Sequence, residues 1–154
     1  MQIILIRGTM NSGKTTTSGL VYSELVKISE KEHTFNGKKV TENSLQFNKK
    51  NEVIDFTSIL IIRKLKVGII SAGDIATDLK CNIEIMISLD IDILICCTRS
   101  RNQKGSSYRM ISDDFSKEHE IIGEFWIEFS KKPEQKNSVK QSTVKKIIDL
   151  IKVI

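Results

Sequence analysis

The sequence has one proline, three cysteines, two histidines and few aromatic residues, and no apolar run approaches membrane-spanning length. Each scarcity excludes something. A membrane helix needs about 18 to 20 consecutive apolar residues, so no spanning segment is expected. The opening Met1 to Arg7 is apolar but short. It lacks a basic leader and a cleavage site, and so reads as a first strand rather than a signal peptide. Cys81, Cys96 and Cys97 form no C-x-x-C pair and cannot all pair with one another; reduced thiols in a cytoplasmic protein are the simpler expectation. His33 and His119 stand far apart, with nothing near either at metal-ligand spacing.

The charge excess is confined to one end. The chain carries a net charge of +5, and from residue 131 onward seven lysines face only Glu134 and Asp149. Residues 1–130 are therefore balanced. A lysine-studded, solvated helix face accounts for this excess. The aromatic residues that a single-strand nucleic-acid binder would interleave with its lysines are missing there.

At 154 residues the chain is expected to form one domain with a sizeable core. Gln2 to Arg7 reads as a strand buried on both faces. Helical spacing of Val21, Leu25 and Ile28 predicts a helix from Lys14 to about Lys31. Residues 33–51 form a long polar connection. Val53 to Ile62 and Val67 to Ile70 predict two strands, joined by the basic turn Arg63 to Lys66 as an antiparallel hairpin. A helix is expected from near Asp74 through Leu79, Ile83 and Met86, then a strand from Ile91 to Cys97. Ser106 or Ser107 is placed to cap a helix carrying Tyr108, Ile111 and Phe115. Alternation from Ile121 to Phe129 predicts a half-buried strand. Pro133 then opens a polar linker over 131–137, leading to a basic C-terminal helix from about Ser138 with Val144, Ile147, Ile148, Ile151 and Ile154 on one face. This alternation of strands and helices specifies a three-layer α/β domain around a mainly parallel sheet with one antiparallel hairpin.

The strongest chemical signal is Gly8 to Thr15, which matches G-x-x-x-x-G-K-S/T in full between a clean strand and an amphipathic helix. Gly8 and Gly13 permit a tight turn. With Asn11 and Ser12 they bring backbone N–H groups onto a phosphate. Lys14 supplies a point charge for the β- and γ-phosphates, the Thr15 hydroxyl a ligand for Mg²⁺, and Thr16 a contact to the α-phosphate. The helix start adds its positive dipole end. Over residues 2–30 the sequence resembles the P-loop NTPase superfamily, in particular its small nucleotide- and metabolite-kinase-like members. The resemblance implies a Rossmann-like P-loop fold, binding of ATP or another nucleoside triphosphate with Mg²⁺, and often phosphoryl transfer.

A carboxylate is then needed on the metal side. Asp74 follows a strand and a small-residue loop; it is a candidate for metal binding or catalysis, and equally a helix N-cap. Family members commonly end this element with a strand directly followed by aspartate, a pattern not met here. Asp90 falls at a helix end and Asp92 at the start of a strand, the wrong rim for ligand contact. Asp55 at a strand start could face a substrate, although edge polarity explains it equally. Arg99 and Arg101, with Arg109 behind them, lie in a basic loop expected on the same rim as the glycine-rich turn. They could neutralise a transferring phosphoryl group or be simply solvated. Packing without reactivity is expected of Cys96 and Cys97, and Trp126 is expected to be partly buried.

Two functions from different classes follow. One is an ATP-dependent phosphotransferase acting on a nucleotide or small metabolite, with Lys14, Asp74, Arg99 and Arg101 at the chemistry and residues 33–51 covering the acceptor. The other is an NTPase or nucleotide-sensing module acting through a protein partner. Asn48 to Asn51 lacks the aspartate of the base-reading N-K-x-D motif, which tilts the nucleotide toward ATP.

Overall fold

In the computed structural model of the chain, residues 1–33, 45–128 and 132–154 are described. Among them the order is β1 (Gln2–Gly8), α1 (Lys14–Val26), β2 (Lys31–His33), β3 (Thr57–Ile62), β4 (Leu65–Ile70), α2 (Ala76–Ser88), β5 (Ile93–Arg99), α3 (Ser107–Asp114), β6 (Glu120–Ile127) and α4 (Pro133–Val153). The six strands form one sheet in the order β2-β3-β4-β5-β1-β6. The pairings of β4, β5, β1 and β6 are parallel, whereas β2–β3 and β3–β4 are antiparallel.

The apolar run of β1 has a direct explanation: both of its faces are covered. Ile4 and Ile6 pack with Val21 and Leu25 of α1 and Ile147 of α4. Ile3 and Leu5 point the other way, to Leu79 and Ile83 of α2 and Ile111 of α3. Helices thus sandwich the sheet in three layers, and β6, at the edge, alternates as expected from Gly123 to Ile127, after a register shift against β1 near its start.

Several boundaries differ from expectation. Helix α1 stops at Val26, and the chain turns to place Lys31–His33 beside β3. Such a short, charged strand has no periodicity to betray it. It is held by pairing and by buried Glu32, which accepts hydrogen bonds from the Tyr22 hydroxyl at 2.8 Å and from Ser58 Oγ at 2.9 Å. The expected strand from Val53 begins only at Thr57, while Leu65 and Lys66 belong to β4 rather than to the turn. That leaves a two-residue hairpin in which Arg63 and Lys64 both take positive φ, 50° and 69°, as a turn matching the strand twist requires. Arg63 Nη1 donates to the Lys152 carbonyl at 3.1 Å, placing a cation at the C-terminal end of α4. Helix α4 begins at Pro133, within the segment expected to be a linker, because proline suits a first helical turn. Most of the 33–51 connection (34–44) and the expected strand end at Phe129 lie outside the described residues. No helix among the described residues is long and apolar enough to cross a membrane.

The central role of α4 is open to test. Ile147 is fully buried against the sheet. Ile147→Ala is expected to cost about 3 kcal/mol in urea unfolding, the range for deleting a buried aliphatic side chain. Lys145→Ala, which removes only an exposed pair with Asp149, should stay within about 0.5 kcal/mol of the parent.

Candidate functional site

Strand β1 ends at Gly8, and its register with β5 places Gly8 opposite Arg99. The following turn has no room for side chains on its inner side. A Cβ on Gly8 would lie 2.3 Å from Ser12 Oγ and 3.0 Å from the Ile127 carbonyl. Asn11 and Gly13 adopt left-handed φ values of 59° and 99°. Alternation of this kind curls successive N–H groups toward one point. Gly13 is also the N-cap of α1, which starts without a side-chain cap and without an acidic residue in its first turn. The positive end of the helix therefore opens onto the turn.

Lys14 is almost fully buried beneath this turn. Its Nζ donates to the Gly8 carbonyl at 3.0 Å and the Thr9 carbonyl at 2.8 Å, and lies 3.2 Å from Asp74 Oδ1. Asp74 arrives by a close backbone crossing. Ile70, the last residue of β4, pairs with Cys96, so Ser71 to Gly73 run across the end of β5. A Cβ on Gly73 would fall 1.5 Å from the Cys97 carbonyl oxygen, which only glycine avoids. The N-cap of α2 is Ile75, with no side-chain cap; Asp74 is not a helix cap. It pairs instead with Lys14 and, at 3.4 Å, with Arg99 Nε.

Thr15 finds a different carboxylate. Its hydroxyl donates to Asp55 Oδ1 at 2.8 Å, and Ser71 Oγ lies 3.4 Å from the same oxygen. Asp55 and Asp74, with Lys14, Thr15 and the loop backbone, line one cleft of about 620 Å³, whose lip carries Glu52 and Asp78. From sequence Asp55 stood open between a substrate-facing group and mere edge polarity; its meeting with Thr15 places it in the cleft. Among the described residues no cluster of three or more His, Cys, Asp or Glu side chains could cage a metal. The hard-oxygen side chains lining the cleft are therefore the Thr15, Thr16 and Ser71 hydroxyls and separate carboxylates.

The expected arginines are dispersed. Arg99 reaches Asp74, and its backbone N–H donates to Ser107 Oγ at 2.9 Å, pinning the start of the loop. Arg101 is exposed and does not line the cleft. Arg109 is paired with Asp113 along α3. Asp90 sits in the turn after α2 with φ 56°. Asp92 accepts from the Lys66 N–H at 2.8 Å at the beginning of β5, away from the cleft. Neither histidine lines the cleft. Thr16 and Asn11 do.

A second cluster was not anticipated. Arg7, the last side chain of β1 before Gly8, is buried with its guanidinium 3.4 Å from the Tyr108 ring centroid and 4.1 Å from that of Trp126. It donates at 2.8 Å to both Glu124 Oε2 and the Ser100 carbonyl. This cation sandwiched between aromatic rings ties the Arg99–Ser107 loop to the sheet. Trp126, expected to be partly buried, is half exposed.

The paired thiols are structural. Burial pushes the Cys97 thiol up to about 12, against smaller lowering effects from the Ser18 hydroxyl and Lys14, and it raises Cys96 likewise. Ellman's reagent at pH 8 should therefore modify exposed Cys81 in the native protein and reach Cys96 and Cys97 only on unfolding. Because the folded-state value of Cys97 lies above its ordinary 9.0, this residue's contribution to stability holds below pH 9 and declines as pH rises from 9 toward about 12. The backbone crossing gives a separate expectation. Gly73→Ala should destabilise by about 3 kcal/mol or more, since backbone must move. Gly105→Ala, with nothing within 4 Å but a φ of 87°, should cost about 1 kcal/mol; thermal unfolding of both variants checks the contrast. No protein-family model, no curated protein and no solved structure matches this chain.

Proposed function

We propose that the chain is a P-loop nucleotide-binding protein with a Rossmann-like P-loop fold, that it takes ATP with Mg²⁺, and that it transfers the γ-phosphoryl group to a nucleotide or small metabolite. The observation that carries this reading is the Gly8–Thr15 turn. A concave backbone, an uncapped helix start and a buried ammonium converge at the end of a central parallel strand, the rim where ligands bind in such sheets.

The residues have separable tasks. The loop amides and Lys14 bind the β- and γ-phosphates, Lys14 exchanging its carbonyl partners Gly8 and Thr9 for phosphate oxygens. Thr15, with the Asp55 carboxylate bonded to its hydroxyl and Asp74 across the same cleft, would hold Mg²⁺. Held there, Mg²⁺ would neutralise phosphate charge. Asp74 pairs with both Lys14 and Arg99; Lys14 lines the cleft and faces the transferring group, and Arg99 stands behind Asp74. The remaining volume of the cleft accommodates an acceptor.

One observation favours a second reading, an NTPase or sensing module that works through a protein partner. Only Arg99 of the expected arginines reaches the site, whereas phosphoryl transfer commonly uses more than one cation on the migrating group, sometimes supplied by a partner. Turnover separates the two. A kinase should consume ATP much faster when its acceptor is supplied from a metabolite panel; a sensing module should respond to a protein and ignore the panel.

The shared claim is tested by calorimetry. Lys14→Ala should weaken MgATP binding about a hundredfold, the loss for removing charge-assisted hydrogen bonds, with the melting temperature of the free protein kept. Asp55→Asn should weaken binding about tenfold in Mg²⁺ and leave it unchanged in EDTA. Parental affinity in the Lys14→Ala variant would remove the loop from the site.

A further inference from the structure

The two sides of the cleft differ sharply in charge. Among the described residues three segments line it: the glycine-rich turn with the start of α1, residues 52–55, and residues 71–78. The first supplies Lys14, the one cationic side chain of the lining. The other two supply four carboxylates, Glu52, Asp55, Asp74 and Asp78. Glu52 meets only a neutral amide, Asn48 Nδ2 at 2.9 Å, and Asp78 has no ion-pair partner. A cavity of about 620 Å³ walled in this way focuses negative potential on whatever enters beside the nucleotide. An acceptor carrying its own phosphate would find no cation for it along this wall. Arg99 stands behind Asp74, Arg109 is paired with Asp113, and Arg101 does not line the cleft.

A second observation concerns shape and hydrophobicity, not charge. Ile75 lines the same wall and is 60% exposed. It is also the N-cap of α2, where a side-chain oxygen would ordinarily serve the helix amides. Val53 and Ala72 lie along the wall with it. The lip opposite is held in place. The Glu52 N–H donates to Asn48 Oδ1 at 3.0 Å, and Val53 bridges to Phe47. Hydrocarbon beside carboxylate suits a small molecule with a short apolar frame and an ammonium group.

We propose that the acceptor at this site is a cationic hydroxyl compound, of the amino-alcohol or aminated-sugar class, with its ammonium held by Glu52 and Asp78 and its frame against Ile75. The proposal rests on the phosphotransferase reading above and narrows its acceptor, setting nucleotides aside. In the transfer the acceptor's hydroxyl oxygen bonds to the γ-phosphorus as the bond from that phosphorus to the bridging oxygen breaks. ADP leaves with the electron pair, and the hydroxyl proton passes to water.

ADP release by the full chain in saturating MgATP tests it with three matched sets of acceptors: ethanolamine and glucosamine, ethylene glycol and glucose, AMP and glucose 6-phosphate. A member of the cationic set should raise the rate about tenfold or more, with a KM that climbs with salt; the neutral and anionic sets should not. Glu52→Gln combined with Asp78→Asn should raise that KM about tenfold, with kcat and calorimetric MgATP affinity kept. Glu84→Gln, exposed on the same helix outside the cleft, should leave the KM unchanged. Acceleration by the neutral or anionic set, or by no compound at all, in a protein that binds MgATP would overturn the acceptor class while the loop reading stands. A fall in MgATP affinity in the double variant would assign the two carboxylates to the nucleotide and overturn it as well. If the parent protein binds neither MgATP nor inorganic tripolyphosphate, the loop reading falls and the acceptor with it.

Discussion

The register of three adjacent parallel strands governs everything at the cleft. Gly8 lies opposite Arg99 and Ile70 opposite Cys96, so the chain leaving β4 must cross the end of β5 to reach α2. Where it crosses, backbone meets backbone at Gly73 and Cys97. Asp74 is consequently delivered to Lys14 by main-chain geometry rather than by side-chain choice. Were the two strands offset by one residue, every alternating side chain would change faces, and the two apolar layers would be lost together with the site.

Electrostatically the cleft is a balance between few cations and several carboxylates. Lys14 is satisfied by two loop carbonyls and by Asp74, and Thr15 by Asp55. Under the proposed reading an incoming triphosphate must displace these internal partners, so part of its binding energy is spent on rearrangement. Under the same reading the carboxylates left on the lip, Glu52 and Asp78 among them, would repel a bare polyphosphate and favour one already carrying a divalent cation. Pairing of this kind keeps a buried ammonium from standing unpartnered, which would be costly in so enclosed a position.

Local order in the sequence and order in the fold agree wherever one element's own periodicity decides the outcome. The two-faced burial of β1, the amphipathic α1, the capping Ser106 that accepts from the Arg109 N–H and the alternating β6 are all visible in the residue pattern. So is the glycine-rich turn, because its spacing is dictated by the backbone path itself. What stayed hidden depends on meetings between distant segments. Strand β2 exists because β3 is beside it, Asp55 matters because Thr15 points at it, and Asp74 is distinguished from a helix cap only by the position of Ile75. Arg7 escaped notice because a cation in an apolar strand becomes intelligible only once Tyr108, Trp126 and Glu124 close around it. Composition likewise placed the arginines of 99–109 in one loop but could not say that Arg109 would turn along its own helix to Asp113.

The same arginine sandwich has a bearing on self-association. Strand β6 is the last in the sheet and is eight residues long, the sort of margin on which another polypeptide can add itself as a further strand. Glu124 and Trp126 share one side of that margin, and Arg7 holds both in fixed orientations. A second molecule approaching strand to strand would have to bring its own glutamates alongside and dislodge a ring already held in place. The residues that brace the loop beside the cleft thereby also guard the open border of the sheet against fibrous or side-by-side stacking.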